Sequence, residues 1–235
     1  MKLVLLPGMD GTGVLFNRLA PVIEFTCQII ALPLGANQSY AFLTTYISSQ
    51  LPAEEFILLA ESFSGPIAAG IAGLNNPNLK ALIFIATFLT PPLPELLFCA
   101  RFLPLRALVK LPLALFFIQR FLLGHQYPIG EFILVLASVG QTELSARLSA
   151  LKRLKADETT SDCQLPTMYL AAQKDCLVAP KHLNLFKEHF PNLTTFVVPG
   201  THFLVQSNPV ACAEKINTFV KSVIGNLQVA QAQLP

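Results

Sequence analysis

The chain has 235 residues, the size of one large α/β domain carrying an insertion and too short for two independent domains. Hydrophobic residues make up 53% and charged residues only 13%, which excludes disordered, coiled-coil and low-complexity scaffolds. Sixteen Lys and Arg against fourteen Asp and Glu leave a formal charge of +2, too even for a nucleic-acid-binding face.

Taken in chain order, short apolar runs bounded by Gly or Pro recur at Lys2–Leu6, Gln28–Pro33, Phe56–Ala60, Ala81–Ala86, Thr167–Ala171 and Thr194–Val198. Runs of this length, apolar throughout, predict strands buried on both faces of a parallel sheet. Helical patterns lie between them at Gly13–Ala20, Ser39–Leu51, Pro66–Leu74, Pro180–Phe190 and Pro209–Ile224, the last three opened by a Pro that suits a first helical turn. The alternation predicts an α/β fold with a doubly wound, mainly parallel sheet of six strands.

The alternation stops after Ala86 and resumes at Thr167, and the residues between are rich in Leu, Phe and Pro. They predict an inserted helical cap over 91–162, leaving 1–90 and 163–225 as the α/β core and 226–235 as a frayed C-terminal tail. Within the cap, Phe98 and Phe102, then Phe117 and Phe121, are four residues apart and share helix faces, which makes them candidate substrate-binding residues. Arg101, Arg106, Lys110 and Arg120 interleave with them, as on segments that rest on a lipid or anionic surface. A cap packed by its apolar face on the core, with its arginines in water, is the plainer alternative.

The most apolar stretch, Ala81 to Gly124, is broken by prolines and charges such as Pro91, Glu95, Arg101 and Lys110. It gives no clean window of about 20 residues for a transmembrane span. The opening Met1–Leu6 reaches Pro7-Gly8 before a signal-peptide core can form, so the expected location is cytoplasmic. Cys27, Cys99, Cys163, Cys176 and Cys212 are scattered and contain no C-x-x-C pair. They predict neither a disulfide framework nor a zinc site, and read as small buried hydrophobes.

Open α/β sheets bind ligands at the carboxyl ends of their strands, so the loop after each strand is where chemistry is expected. After Phe56–Ala60 comes Glu61-Ser62-Phe63-Ser64-Gly65-Pro66, a serine at a strand-to-helix turn with small residues, Ala60 and Ser64, two positions to either side. A nucleophile elbow needs small neighbours because the turn is too sharp for large ones. Ser62 is the candidate nucleophile; Ser64 is the alternative, and a plain helix cap is the bland reading. Asp175 follows the fifth run and His202 the sixth. The order Ser62, Asp175, His202, each after its own strand, is that of a Ser…Asp…His triad. Asp10, Asp157 and Asp162 are the other acids to consider.

The loop Leu6-Pro7-Gly8-Met9-Asp10-Gly11-Thr12-Gly13 is glycine-rich but has neither the Gly-Lys-Ser/Thr ending of a phosphate loop nor G-x-G-x-x-G. Its freed amides suit an oxyanion hole.

On these residues the sequence resembles the α/β-hydrolase family over nearly the whole chain outside the cap. The resemblance matches Ala60-Glu61-Ser62-Phe63-Ser64 to G-x-S-x-G, Asp175 to Pro180 to D-x-x-V-x-P, Gly200-Thr201-His202-Phe203 to the base loop, and the first glycine-rich loop to the oxyanion loop. Both elbow glycines are replaced, and the family's usual antiparallel first strands are absent. The Pro-Gly-Met-Asp-Gly-Thr-Gly opening also resembles the plant phytyl ester synthase group of acyltransferases, which keeps acyl transfer open. The resemblance implies a serine hydrolase for an ester or thioester with an apolar acyl part. Ser62, Asp175 and His202 would be its catalytic residues, the amides of Met9 and Phe63 its oxyanion hole, and no cofactor or metal is implied. A non-catalytic binding protein that keeps the fold is the third reading.

Overall fold

The computed structural model describes residues 1–92, 111–124, 126–155 and 163–232. Phe98, Phe102, Arg101, Arg106, Lys110, Cys99, His125, Asp157 and Asp162 lie outside the described residues.

The strands β1 (Lys2–Leu6), β2 (Cys27–Ile29), β3 (Phe56–Glu61), β4 (Leu79–Ile85), β5 (Thr167–Ala172) and β6 (Leu193–Val198) form one sheet. Its order is β2-β1-β3-β4-β5-β6, and every neighbouring pair is parallel. Because side chains alternate across a strand, Val4 and Leu6 of β1 enter one core while Leu3 and Leu5 enter the other. Burial on both faces is why the inner strands β1, β3 and β4 are apolar almost throughout and not at every second residue, while the edge strands β2 and β6 are partly exposed and carry Gln28, Thr194 and Thr195.

The helices are α1 (Tyr40–Ser48), α2 (Gly65–Gly73), α3 (Pro112–Phe117), α4 (Ile129–Ser138), α5 (Gln141–Arg153), α6 (His182–His189), α7 (Leu204–Ser207) and α8 (Pro209–Ala232). One face of the sheet is covered by Leu43 and Ile47 of α1, Ile67 and Ile71 of α2 and Phe186 of α6. The other is covered by Phe16 and by Ile216, Val220 and Val223 of α8. From β1 the chain goes outward to edge strand β2 and returns across to β3 on the opposite side of β1. The segment after β1 packs on one face and α2, after β3, on the other, so their carboxyl ends flank the crevice where such sheets bind ligands. Helices α3 to α5, with a π-helical stretch at Ile118–Leu123, lie in sequence between β4 and β5.

Three elements depart from the sequence expectation. Gly13–Ala20 is not an α-helix but holds the 3₁₀ turn Val14–Asn17, with a second at Ala20–Val22; Gly13 sits at φ +78° and Pro21 has no N–H to continue a ladder. Strand β2 stops at Ile29 instead of Pro33, because β1 ends at Leu6 and the Leu32 amide turns to the Gly11 carbonyl at 2.8 Å. The last helix runs past Ile224 to Ala232, through residues expected to fray, since Leu227 still packs against the core.

An aromatic cluster ties β4, β5 and α6 together: the Phe186 ring lies 4.7 Å from Phe84, 4.9 Å from Tyr169 and 5.9 Å from Phe190. Phe186 is fully buried. Phe186→Ala is expected to cost about 3–5 kcal/mol, read as a lower denaturation midpoint with an unchanged slope. A variant as stable as the parent would show that this cluster does not hold α6 on the sheet.

Candidate active site

The loops after β1, β3, β5 and β6 meet at the carboxyl edge of the sheet. Strand β3 ends at Glu61, and Ser62 takes φ +46°, a left-handed backbone that a side chain disfavours. Three contacts hold it there. The Thr87 hydroxyl donates to the Ser62 carbonyl, the buried Ser64 hydroxyl donates to the Pro7 carbonyl, and Gly65 leaves room where a Cβ would overlap the Thr87 side chain. Thr87 is itself fixed by Tyr169, whose hydroxyl accepts from the Thr87 amide at 3.2 Å and donates to its carbonyl at 2.7 Å. Ala60, the other replaced glycine, is buried on β3 between Leu6 and Phe84. Ser64 is therefore a tether between the elbow and the first loop, and its hydroxyl is already committed.

The Ser62 hydroxyl is 2.9 Å from Nε2 of His202. Nδ1 of His202 lies 2.9 Å from Oδ2 and 3.1 Å from Oδ1 of Asp175, and this network places the ring proton on Nδ1. Oδ1 of Asp175 also accepts from the amides of Leu177 and Val178, each at 2.9 Å. Burial opposes the charge on Asp175, but the imidazole and the two amides outweigh it and hold the carboxyl below its usual range. The two loops are laced together, Gln173 donating to the Val198 carbonyl at 3.0 Å and Lys174 to that of Gly200 at 2.9 Å. The spacing of Asp175 and His202 is thus set by the β5–β6 ladder.

The first loop is a tight turn in which the Gly11 amide donates to the Gly8 carbonyl at 3.1 Å and the Thr12 amide to Oδ2 of Asp10 at 2.9 Å. A Cβ on Gly8 would lie 3.8 Å from that of Ser62, so the loop passes directly beside the serine. The Phe63 side chain points into the core and stacks on Tyr40 at 5.1 Å. Ser62 and His202 open onto a cavity of about 480 Å³ whose polar floor also includes Met9, Asp10 and Glu61. Its walls are apolar: Leu15, Phe117, Ile118, Leu122, Phe132, Val135, Leu144, Leu148, Leu151 and Leu177. Phe117 is in the wall; Phe121 stacks on Phe117 at 5.7 Å and is not part of it. The π-helical register puts Leu122, five residues after Phe117, on the cavity side instead.

Two residues here carry no site signal that sequence reading used. Glu61 is 4% exposed and accepts from Nε2 of Gln206 at 2.8 Å. Burial pushes its carboxyl up to about 7, with the charge of Asp10 adding to the effect. Its signal is position: the last residue of a strand buried on both faces is buried too. Arg147, 1% exposed on α5, donates to the carbonyls of Met9 and Asp10; three of its four acceptors are backbone carbonyls, which leave no trace in a sequence.

Among the described residues no group of His, Cys, Asp and Glu side chains could hold a metal ion, and Cys27, Cys163, Cys176 and Cys212 are free thiols. No single described helix is long and apolar enough to cross a membrane.

No protein-family model matches the chain, and no curated protein matches it. Solved structures do. An enol-lactonase from Burkholderia xenovorans LB400 superposes with a TM-score of 0.79 at 12% identity, over 94% of this chain and 91% of that one. An esterase (EaEST) from Exiguobacterium antarcticum gives 0.77 at 14% identity, over 94% and 92%. A hydrolase from Pseudomonas aeruginosa PA01 gives 0.75 at 16% identity, over 93% and 89%. The shared architecture is the α/β-hydrolase fold.

The raised Glu61 has a thermodynamic consequence. A carboxyl that holds its proton more tightly when folded supports folding fully below its unfolded value of about 4.3, and that support is lost as the pH rises toward about 7. Glu61→Gln keeps an acceptor for Gln206 and cannot ionise. Its stability relative to the parent is expected to rise between pH 4 and pH 8 by on the order of 3 kcal/mol, measured by urea unfolding; a difference independent of pH would show that Glu61 ionises freely in the folded chain.

Proposed function

We propose that this chain, which has the α/β-hydrolase fold, is a serine hydrolase that cleaves a carboxylic ester or thioester with an apolar acyl part. The observation that carries the reading is the hydrogen-bonded run Ser62, His202, Asp175 on the floor of an apolar cavity. In this reading Ser62 Oγ attacks the acyl carbon while Nε2 of His202 takes its proton, and Asp175 holds the ring orientation and stabilises the imidazolium. The amides of Met9 and Phe63 donate to the tetrahedral oxyanion, a contribution of about 3–4 kcal/mol per donor at such sites. His202 returns the proton to the leaving alcohol or thiol, leaving Ser62 acylated. Water then attacks the acyl carbon, His202 again taking and returning a proton, and the acid and free Ser62 are released. No step calls on a cofactor.

The walls supply the selectivity. Each buried CH₂ contributes about 0.8 kcal/mol, so a chain that fills the space between Phe117, Phe132 and Leu148 gains where an acetyl group cannot. The helices between β4 and β5 act as the cap in this reading, and the exposed Leu113 and Phe116 of α3, with Arg120 close by in sequence, suit contact with an anionic lipid surface.

Ser62→Ala is expected to abolish turnover of p-nitrophenyl esters and labelling by a fluorophosphonate probe, with the fold kept, since alanine suits a turn of small residues. Octanoyl esters should be turned over faster than acetyl esters. Turnover that survives in Ser62→Ala would sink the mechanism; a preference for acetyl would sink the apolar-acyl assignment alone. If added long-chain alcohol yields ester in place of free acid, the reaction is acyl transfer.

A further inference from the structure

Arg147 lies on α5, in sequence far from every loop of the site, yet its side chain ends beside the first of them. Four groups take its hydrogen bonds. Nη1 donates to the carbonyls of Met9 at 2.9 Å and Asp10 at 2.7 Å, Nη2 to that of Pro33 at 3.3 Å, and Nε to Oε1 of Gln38 at 3.0 Å. All four acceptors are neutral, and among the described residues no carboxylate hydrogen-bonds the guanidinium. The charges of Asp10 and Glu143 favour the cation from a distance, but burying a cation whose direct partners are all neutral is expensive for mere packing.

Two of these contacts fall on successive peptide units of the turn, Met9–Asp10 and Asp10–Gly11. The Gly8–Met9 unit, which carries the Met9 N–H, is fixed at its carbonyl by the Gly11 amide. The next unit, Met9–Asp10, is fixed at its carbonyl by Arg147. A trans peptide points N–H opposite to C=O, so clamping both units leaves the Met9 N–H one direction. Gly11, at φ +69°, is packed so closely on the guanidinium that a Cβ there would overlap it. One helical turn before Arg147, Glu143 Oε1 accepts from the Gly35 amide at 3.1 Å, pinning the same helix to the segment after β2. The opposite job of α5 is on the cavity side, where Leu144, Leu148 and Leu151 form wall.

We propose that Arg147 is a positioning residue for the oxyanion hole: from the segment between β4 and β5 it clamps the Met9 and Asp10 carbonyls and so aims the Met9 amide at the developing oxyanion. This rests on the serine-hydrolase reading. It assigns to Arg147, on a helix outside the four site loops, a role in the transition state and none in binding the ground state.

The test is steady-state kinetics of Arg147→Met and Arg147→Lys with an octanoyl p-nitrophenyl ester, next to Ser62→Ala. Arg147→Met is expected to lower kcat by about 10- to 100-fold, less than deletion of a donor itself, with KM within about twofold. Affinity for a trifluoromethyl ketone carrying the same chain, which forms a tetrahedral adduct on Ser62, should fall by the same factor as kcat/KM. Arg147→Lys keeps the charge and part of the donor set, so it should recover part of kcat. A drop in melting temperature with kcat unchanged would make Arg147 purely structural, and a raised KM with unchanged kcat would place Arg147 in substrate binding; either overturns the proposal. Should Arg147→Met not fold, Arg147→Lys decides, since full parental kcat there would also overturn it. Turnover retained by Ser62→Ala would instead refute the hydrolase reading, whatever Arg147 does.

Discussion

The backbone of Ser62 is forced into the left-handed region by the need to leave a central strand and enter a helix within three residues. Such a conformation costs on the order of 1–3 kcal/mol and persists only where its surroundings over-determine it. Here the surroundings come from the strands on either side of β3. Thr87, just past β4, grips the Ser62 carbonyl; Pro7, just past β1, accepts from Ser64; and Tyr169 on β5 holds Thr87. The parallel register that brings Leu6 opposite Ala60 and Ala60 opposite Phe84 also brings Pro7 and Thr87 level with the elbow. Sheet order and elbow geometry are thus one constraint: slip β1 or β4 against β3 and the serine loses its support.

Around that serine, two carboxyls of similar intrinsic acidity are sorted by environment. Asp175 accepts two amides and an imidazole N–H, so its charge is stabilised despite burial. Glu61 has only one amide donor, from Gln206, and deep burial raises its carboxyl to about 7. Donor count, more than exposure, separates them, since Asp175 and Glu61 are both well buried. Asp10, on the same floor, spends one oxygen on Thr12, while Oδ1 is enclosed without a hydrogen-bond partner.

The sheet is legible in the sequence because a parallel strand buried on both faces is a short apolar run, as in β1, β3 and β4, while the half-exposed edge strands β2 and β6 are legible from their place in the alternation. Ser62, Asp175 and His202 are legible for the same reason: each follows its own run, and the structure brings the three within hydrogen-bonding distance. The small residues at 60 and 64 mark the turn, but the work of the Ser64 hydroxyl is hidden, because its acceptor is a carbonyl of Pro7. Arg147 is illegible on the same ground, sitting in a charged helical stretch that reads as solvent-facing. Periodicity failed where helices are short or irregular. Pattern cannot separate 3₁₀ turns from an α-helix after Gly13, and four-residue spacing places Phe121 beside Phe117, where the rings do stack, without showing that Leu122 lines the cavity in its stead.

A charged helix that packs on a glycine-rich loop explains why the loop has the composition it has. Gly11 must turn left-handed under the guanidinium, where a Cβ would overlap it, whereas a Cβ on Gly8 would sit in ordinary contact with that of Ser62. The residues between them, Met9 and Asp10, show their carbonyls to Arg147, and their side chains line the cavity floor. Because α5 also provides Leu144, Leu148 and Leu151 to the wall, a displacement of that helix by an ill-fitting chain would be felt at the Met9 and Asp10 carbonyls. Interiors this closely packed transmit shifts instead of absorbing them. The apolar wall and the loop beside the serine are therefore mechanically one object, and under the proposed function the acyl chain that suits the wall is the one that leaves the loop where the sheet register put it.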